Sequence, residues 1–341
     1  MTLPVVAVFN HKGGVAKTTT ACNLAVCLAA HGWRVMLVDL DAQGNASASF
    51  GHLPLPAVGS LEVITDRIRL ADALLPTPFP NLFLLPATAA LRTAELELAA
   101  GEGALLKLRN HVATEETAAI IDMVVIDCPP SFGMVTLNAL NASSAVLIPT
   151  RPDPFAHEGL SNTWYEVKRL RQDARSELAV AGILLTMTEE RGSVADGALI
   201  IRAEFGNQVF AEGIPADAKV AEAAQLSLPV TVMDPDCPAS HAYVAATTEL
   251  LARLGGRAAT AEVLLNTLRE WRAGQVALER IPKGERGWVA TRRTIGPEPP
   301  PAISPLGIPG ESAGGQIDRH WLGVAFVAGA LLGALVMGLL R

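Results

Sequence analysis

The sequence predicts an α/β fold: a doubly wound, mostly parallel sheet flanked by helices, with a separate hydrophobic helix near its far end. Three observations carry this. Short apolar runs ending in a glycine turn or an aspartate recur through the first 250 residues. Runs apolar at every position read as strands covered on both faces. Stretches of helical periodicity lie between them, and strand–helix–strand alternation builds a parallel sheet. The chain has 341 residues, 50% hydrophobic and 18% charged, enough to bury a large core and too apolar for a disordered chain.

Taken in order, Pro4–Phe9 is the first strand and residues 18–31 an Ala- and Leu-rich helix. Arg34–Leu40 is the second strand, ending in Asp39 and Asp41; Met123–Ile126 is the third, ending at Asp127. Ala145–Pro149 and Ala181–Met187 are the fourth and fifth. The first ten residues lack the basic start of a signal peptide. Four regions are expected: a domain over 1–254, a helical and basic extension over 255–295, a proline-rich linker over 296–320, and a membrane helix over 321–340. In the extension, Ala261–Arg280 predicts an amphipathic helix with Leu264, Leu265, Leu268 and Trp271 on one face. Residues 296–310 hold six prolines and read as extended chain.

Trp321–Leu340 is twenty residues without a charge; as a helix it spans roughly 30 Å, the thickness of a bilayer's hydrocarbon. Arg292, Arg293 and Arg319 precede it, placing the front of the chain on the cytoplasmic side. Gly329 and Gly333, with Ala325 in register, offer a close-approach face for a second such helix. The expected location is the inner (cytoplasmic) membrane, with a single-pass C-terminal anchor and the folded domain in the cytoplasm.

Charge is uneven. Residues 1–250 hold 16 Lys/Arg and 27 Asp/Glu, residues 251–320 hold 10 and 7, and the whole chain carries −7. A generally basic nucleic-acid binder is excluded. Cys22, Cys27, Cys128 and Cys237 have neither zinc spacing nor a disulfide framework. Cys22 and Cys27 read as small core residues of the first helix.

The chemistry concentrates between the first strand and first helix, in Lys12-Gly13-Gly14-Val15-Ala16-Lys17-Thr18-Thr19. Glycines let successive backbone N–H groups turn toward phosphate oxygens, and the following helix start adds a positive dipole end. Lys17 would reach the β- and γ-phosphates and the Thr18 hydroxyl would ligate Mg²⁺. The pattern G-x-x-x-x-G-K-[ST] is not met, because His11 and Ala16 stand at its two glycine positions. Lys12, five residues ahead of Lys17, puts a second cation beside one triphosphate. Asp127 ends an apolar strand on the carboxyl edge, where open α/β sheets bind ligands, and is expected to hold Mg²⁺ through a water.

With its two lysines the loop resembles the deviant Walker motif, K-G-G-x-x-K-[ST], of the ParA/Soj/MinD family of dimerising ATPases, and within it the ParA/Soj branch. The resemblance continues through Val38–Asn45, Val125–Ser131, Thr136–Leu140, Leu147–Pro149, Glu158–Leu160, Gly182–Met187, Ile214-Pro215 and Glu222-Ala223, covering about residues 3–254. It implies a P-loop NTPase fold, ATP and Mg²⁺ as cofactors, and a homodimer sandwiching two ATP molecules, with Lys12 reaching the facing subunit's nucleotide. It further implies that Asp41 positions the attacking water, that Asp39 supports the metal alongside Thr18 and Asp127, and that Pro215 lies near the nucleotide, with Thr186 a looser candidate for the base. A ParB-like or other protein activator is implied, with slow hydrolysis until it acts.

Family members of this kind bind DNA through scattered cations. Here Lys168, Arg169, Arg171, Arg175, Arg191, Arg202 and Lys219 are the candidates, and the acidic front makes any DNA binding weak. The expected function is a membrane-anchored ATPase that positions or segregates a cargo, DNA or a protein complex. The alternative is an ATP-binding scaffold subunit of a membrane assembly such as a polysaccharide synthesis or export complex. An iron–sulfur reductase is disfavoured because no suitably placed second cysteine accompanies Cys128.

Overall fold

A computed structural model describes residues 3–99, 103–153, 156–173, 178–256 and 258–279. Eight strands form one sheet: β1 (Val5–Val8), β2 (Val35–Asp39), β3 (Leu75–Pro76), β4 (Leu82–Leu85), β5 (Met123–Asp127), β6 (Ala145–Thr150), β7 (Ala179–Thr188) and β8 (Ile214–Pro215). The helices are α1 (Lys17–Ala30), α2 (Asn45–Ser49), α3 (Ser60–Ile64), α4 (Leu70–Ala73), α5 (Ala94–Ala99), α6 (Lys107–Val112) and α7 (Glu115–Ile120), then α8 (Met134–Ala142), α9 (Ala156–Asp173), α10 (Ser193–Phe205), α11 (Ala218–Gln225), α12 (Val230–Met233), α13 (Pro238–Arg253) and α14 (Ala261–Glu279).

The strand order is β3-β4-β2-β5-β1-β6-β7-β8. Every pairing is parallel except β3 with β4. Successive strand residues point to opposite faces, and both faces are covered. Val6, Val8, Leu37, Leu84 and Val125 pack against α1, α12, α13 and α14. Val5, Ala7, Met36, Val38, Val124 and Ile126 pack against α3, α5, α6, α8 and α9 on the other side. Double coverage is why these strands read as unbroken apolar runs. The doubly wound, mostly parallel sheet is thus present, with β4 inserted beside β2 and β3 and β8 at the edges.

The helix expected over 261–280 forms, and its apolar face enters the same core: Leu264 and Leu268 are fully buried and Trp271 stacks on Phe79 at 5.5 Å between ring centres. The core therefore continues past residue 254, where composition changes. Among the described residues no helix is long and apolar enough to cross a membrane. The span expected at 321–340, and the linker before it, lie outside the described residues.

Cys22 and Cys27 sit in the core under α1, as expected of small apolar fillers. Burial raises the thiol pKa of both, that of Cys27 to about 12.

Candidate active site

The site forms at the carboxyl edge, where β1 lies between β5 and β6. Residues 9–16 turn from β1 into α1. Gly14 and Ala16 both take left-handed backbone angles, φ 73° and 62°. Ala16 therefore adopts, with a Cβ, the conformation for which the common pattern uses glycine. At Gly13 and Gly14 no atom lies within 4 Å of where a Cβ would stand, so the outer surface of the loop is open to a ligand.

Polar contacts hold the loop from beneath. Asn10, fully buried, accepts from the Lys12 N–H at 3.0 Å and from the Thr163 hydroxyl at 3.2 Å, and donates to the Pro149 carbonyl at 2.8 Å. The Thr186 hydroxyl donates to the Val15 carbonyl at 3.2 Å, so Thr186 braces the loop. Asn23 on α1 donates to the Thr19 carbonyl at 2.8 Å and accepts from the Thr231 N–H at 3.0 Å.

Lys17 begins α1 and is 8% exposed; its Nζ donates across the loop to the Lys12 carbonyl at 2.8 Å. Burial lowers its pKa, with Asp127 and then Cys128 pulling the other way. Lys12 is paired within its own subunit: its Nζ lies 2.5 and 2.7 Å from the two oxygens of Asp153. Thr18 and Thr19, each half-buried, complete the first turn of α1.

Three aspartates face this loop. Asp39 and Asp127 are register partners on neighbouring strands and both are fully buried. Neither Asp127 oxygen has a hydrogen-bond partner. Burial, then the charge of Asp39, raises the Asp127 pKa well above the usual carboxylate range. Asp39 differs, because its oxygens accept from the Ser47 N–H at 2.8 Å, the Ser47 hydroxyl at 2.7 Å and the Asp41 N–H at 3.1 Å. Burial still pushes its pKa up to about 6. Asp41, half-buried, accepts from the Gln43 N–H at 2.9 Å, an Asx turn that fixes its side chain.

Lys12, Gly13, Gly14, Val15, Ala16, Lys17, Thr18, Thr19, Asp39, Asp41 and Asp127 thus share one edge. Pro215 lies at the end of β8, paired with Thr188 on β7, on that same carboxyl edge but three strands from β1. The orphaned oxygens of Asp127 beside the Thr18 hydroxyl fit a divalent cation of oxygen preference. Asp39 has its oxygens engaged and holds the backbone of Asp41.

Sequence reasoning missed Asn10, Ser47, Asp153 and Thr163. Asn10 had a signal, a polar residue closing an apolar run. Asp153 and Thr163 act across long separations, Lys12 and Asp153 being 141 residues apart, while Ser47 reaches Asp39 from eight residues on.

The proposed DNA cations are partly committed. Arg169 pairs with Glu166 and Lys219 with Glu222, both at 2.8 Å. Lys168 sits over the Trp164 ring, and Arg202 donates to the Phe210 and Ala211 carbonyls.

A family model described as an AAA domain matches residues 3–180. The chromosome partitioning protein ParA of Caulobacter vibrioides is 37% identical over 261 residues, 76% of this chain and 98% of that protein. The sporulation initiation inhibitor protein Soj of Bacillus subtilis is 34% identical over 250 residues, 73% and 98% of the two chains. Among solved structures, a cobyrinic acid a,c-diamide synthase of Mycobacterium smegmatis with bound ADP and magnesium superposes with a TM-score of 0.64 at 31% identity, covering 76% of this chain and 98% of that one. Identity at this level, across nearly the full length of the named relatives, means that the chain belongs to the ParA/Soj family of ATPases.

Proposed function

We propose that this chain is a membrane-anchored ParA-type ATPase whose ATP-bound dimer positions or segregates a cargo, a chromosome being the cargo named for its relatives. The observation that carries the reading is the buried Lys17 set opposite an Asp127 whose oxygens have no partner, under a loop with open amide groups. This is a cation for phosphate and an anion for metal, arranged around a space that suits both. The relative solved with ADP and magnesium supports the same ligand pair.

In this reading Lys17 and the loop amides grip the β- and γ-phosphates. Thr18 and Asp127 would hold Mg²⁺, Asp127 through a water, and the ion would neutralise charge on the phosphate oxygens. Asp41, its backbone N–H held by Asp39, would orient the water that attacks the γ-phosphorus as the bond to the bridging oxygen breaks, with ADP leaving and the water's protons passing to the released phosphate and to solvent. Lys12 exchanges Asp153 for the nucleotide of a facing copy, a deviant Walker arrangement, so dimerisation and ATP binding become one event. Hydrolysis is slow until a ParB-like or other protein partner acts. The uncharged stretch 321–340 anchors the chain in the inner membrane with the ATPase domain in the cytoplasm, and switching occurs in the membrane plane. DNA is contacted weakly.

The experiment uses the full chain in detergent. Lys17→Ala abolishes ATP binding, and Asp41→Ala accumulates ATP-dependent dimers that wild type loses by hydrolysis; ATP-independent sedimentation of both variants would refute the switch. A chain ending before Trp321 partitions to the soluble fraction, and continued pelleting with membranes removes the anchor from the proposal.

A further inference from the structure

The turn from Cys128 to Phe132 carries the chain from Asp127 to α8 and lies against the phosphate loop. The Cys128 N–H donates to the Val8 carbonyl at 3.3 Å. The Phe132 ring stands 5.2 Å from His11 and 5.8 Å from Phe9, centre to centre. The Thr136 hydroxyl donates back to the Ser131 carbonyl at 2.6 Å. The position of this turn therefore depends on where α8 begins.

α8 has no cap of its own. It starts after Gly133, which has no side chain, and no acidic residue lies in its first turn, so its leading N–H groups need an acceptor from elsewhere. That acceptor is Glu95 on α5. One carboxylate oxygen accepts from the Met134 N–H at 2.6 Å and the other from the Val135 N–H at 3.4 Å. A carboxylate there also meets the positive end of the helix dipole. Gly133 makes the fit: a Cβ would stand 2.3 Å from a Glu95 oxygen. Its backbone angles, φ −100° and ψ −168°, are open to any residue. The glycine is required by the carboxylate alone.

We propose that Glu95 is a positioning residue for ATP hydrolysis: by capping α8 at Gly133 it fixes the Cys128–Phe132 turn, and with it Asp127, against the phosphate loop. This rests on the ATP reading above. Glu95 touches neither nucleotide nor water in this scheme, and acts through the turn.

The test compares Glu95→Ala, Glu95→Gln, Gly133→Ala and the double variant Glu95→Ala/Gly133→Ala in the full chain in detergent. The Glu95→Ala kcat is expected to fall about tenfold, the size of one lost helix cap expressed in the barrier, with the ATP Kd changed less than about twofold. Glu95→Gln keeps an acceptor for the Met134 N–H and stays within about threefold of wild type. Gly133→Ala expels the carboxylate and matches Glu95→Ala, and the double variant is no slower than either single one. Without nucleotide, amide exchange at Met134 speeds up in Glu95→Ala and not in Glu95→Gln. An unchanged kcat in Glu95→Ala overturns the proposal even where exchange shows the cap lost. So do additive losses in the double variant, or a rise in Kd together with a fall in kcat and Tm in Glu95→Gln. Wild type lacking Lys17-dependent hydrolysis sinks the ATP reading and this proposal with it, while the exchange result still reports whether the cap forms.

Discussion

Replacing Asp127 by asparagine should stabilise the nucleotide-free protein while abolishing Mg²⁺-dependent hydrolysis. Asp127 and Asp39 are buried register partners on adjacent strands. Strands lie about 4.8 Å apart, and two like charges about 5 Å apart at an effective dielectric near 20 repel by roughly 3 kcal/mol. The same repulsion shows at Asp127, where burial and then the charge of Asp39 raise the pKa well above the usual carboxylate range. The asparagine amide in Asp127→Asn keeps the shape and removes a charge, at roughly 1 kcal/mol for an imperfectly paired amide. The net expectation is about 2 kcal/mol of stabilisation, a Tm rise of about 4–8 °C for a domain of this size. Asp127, its folded pKa raised, takes up a proton on folding, so wild type sheds the penalty of the ionised pair as pH falls through that raised pKa toward the unfolded value of about 4. The gap between variant and wild type is therefore widest at pH 7.5 and closes by pH 4.5, and taking the difference cancels the titration of carboxylates elsewhere. Urea unfolding in EDTA at the two pH values measures it. A variant less stable than wild type at pH 7.5, or a gap that persists at pH 4.5, refutes the argument.

Three other expectations follow from the same geometry. Asp153→Asn removes the charge that holds Lys12 in its own subunit; for a partly exposed pair worth up to about 1 kcal/mol, ATP-dependent dimerisation should tighten about threefold by sedimentation, and no change shows that the pair does not compete with the dimer. Ala16→Gly relieves a left-handed alanine, gaining about 1 kcal/mol and losing about as much in backbone entropy. Its unfolding free energy stays within about 0.5 kcal/mol with ATP binding retained, whereas the β-branched Ala16→Val loses at least about 1 kcal/mol by the same urea assay. Trp271→Ala, in a side chain 5% exposed and stacked on Phe79, costs about 3–5 kcal/mol; a loss under about 1 kcal/mol would mark α14 as a detachable extension.

The central strands were legible because each is covered on both sides and must be apolar throughout: the runs expected at Pro4–Phe9, Arg34–Leu40 and Met123–Ile126 contain β1, β2 and most of β5. β4 was not, because Leu82–Leu85 is four residues set between Asn81 and Pro86. β3 and β8 have two residues each, too few for any period to show. The face of α14 could be read from Leu264, Leu268 and Trp271, but its docking on Phe79 could not, since that partner is nearly 200 residues away in sequence. In the site, the loop lysines and strand-end aspartates were visible because their chemistry is local to a motif. Ser47, Asp153 and Glu95 were not. Each acts by reaching a distant segment, Ala87, Lys12 and Met134 respectively, and nothing in its own neighbourhood announces that.

The distribution of charge explains why such a site should switch. Burial strips hydration from Lys17, and among the described residues neither Asp127 oxygen has a hydrogen-bond partner, so an opposite charge beside either is favourable. Lys12 is satisfied only by a borrowed partner, Asp153. In the proposed mechanism a triphosphate with its divalent ion would supply anionic oxygens for Lys17 and for the facing copy's Lys12, and a cation for Asp127. Ligand binding then removes unfavourable terms already present in the fold, and any ligand that binds only the folded state stabilises it. Asp39 gains nothing directly, because Ser47 and the Asp41 backbone already occupy its oxygens. Its charge destabilises the ionised Asp127 until a cation arrives, and its hydrogen bonds keep Asp41 in place afterwards. Under the proposed mechanism that buried pair favours the metal-loaded state, in which Asp41 would orient its water.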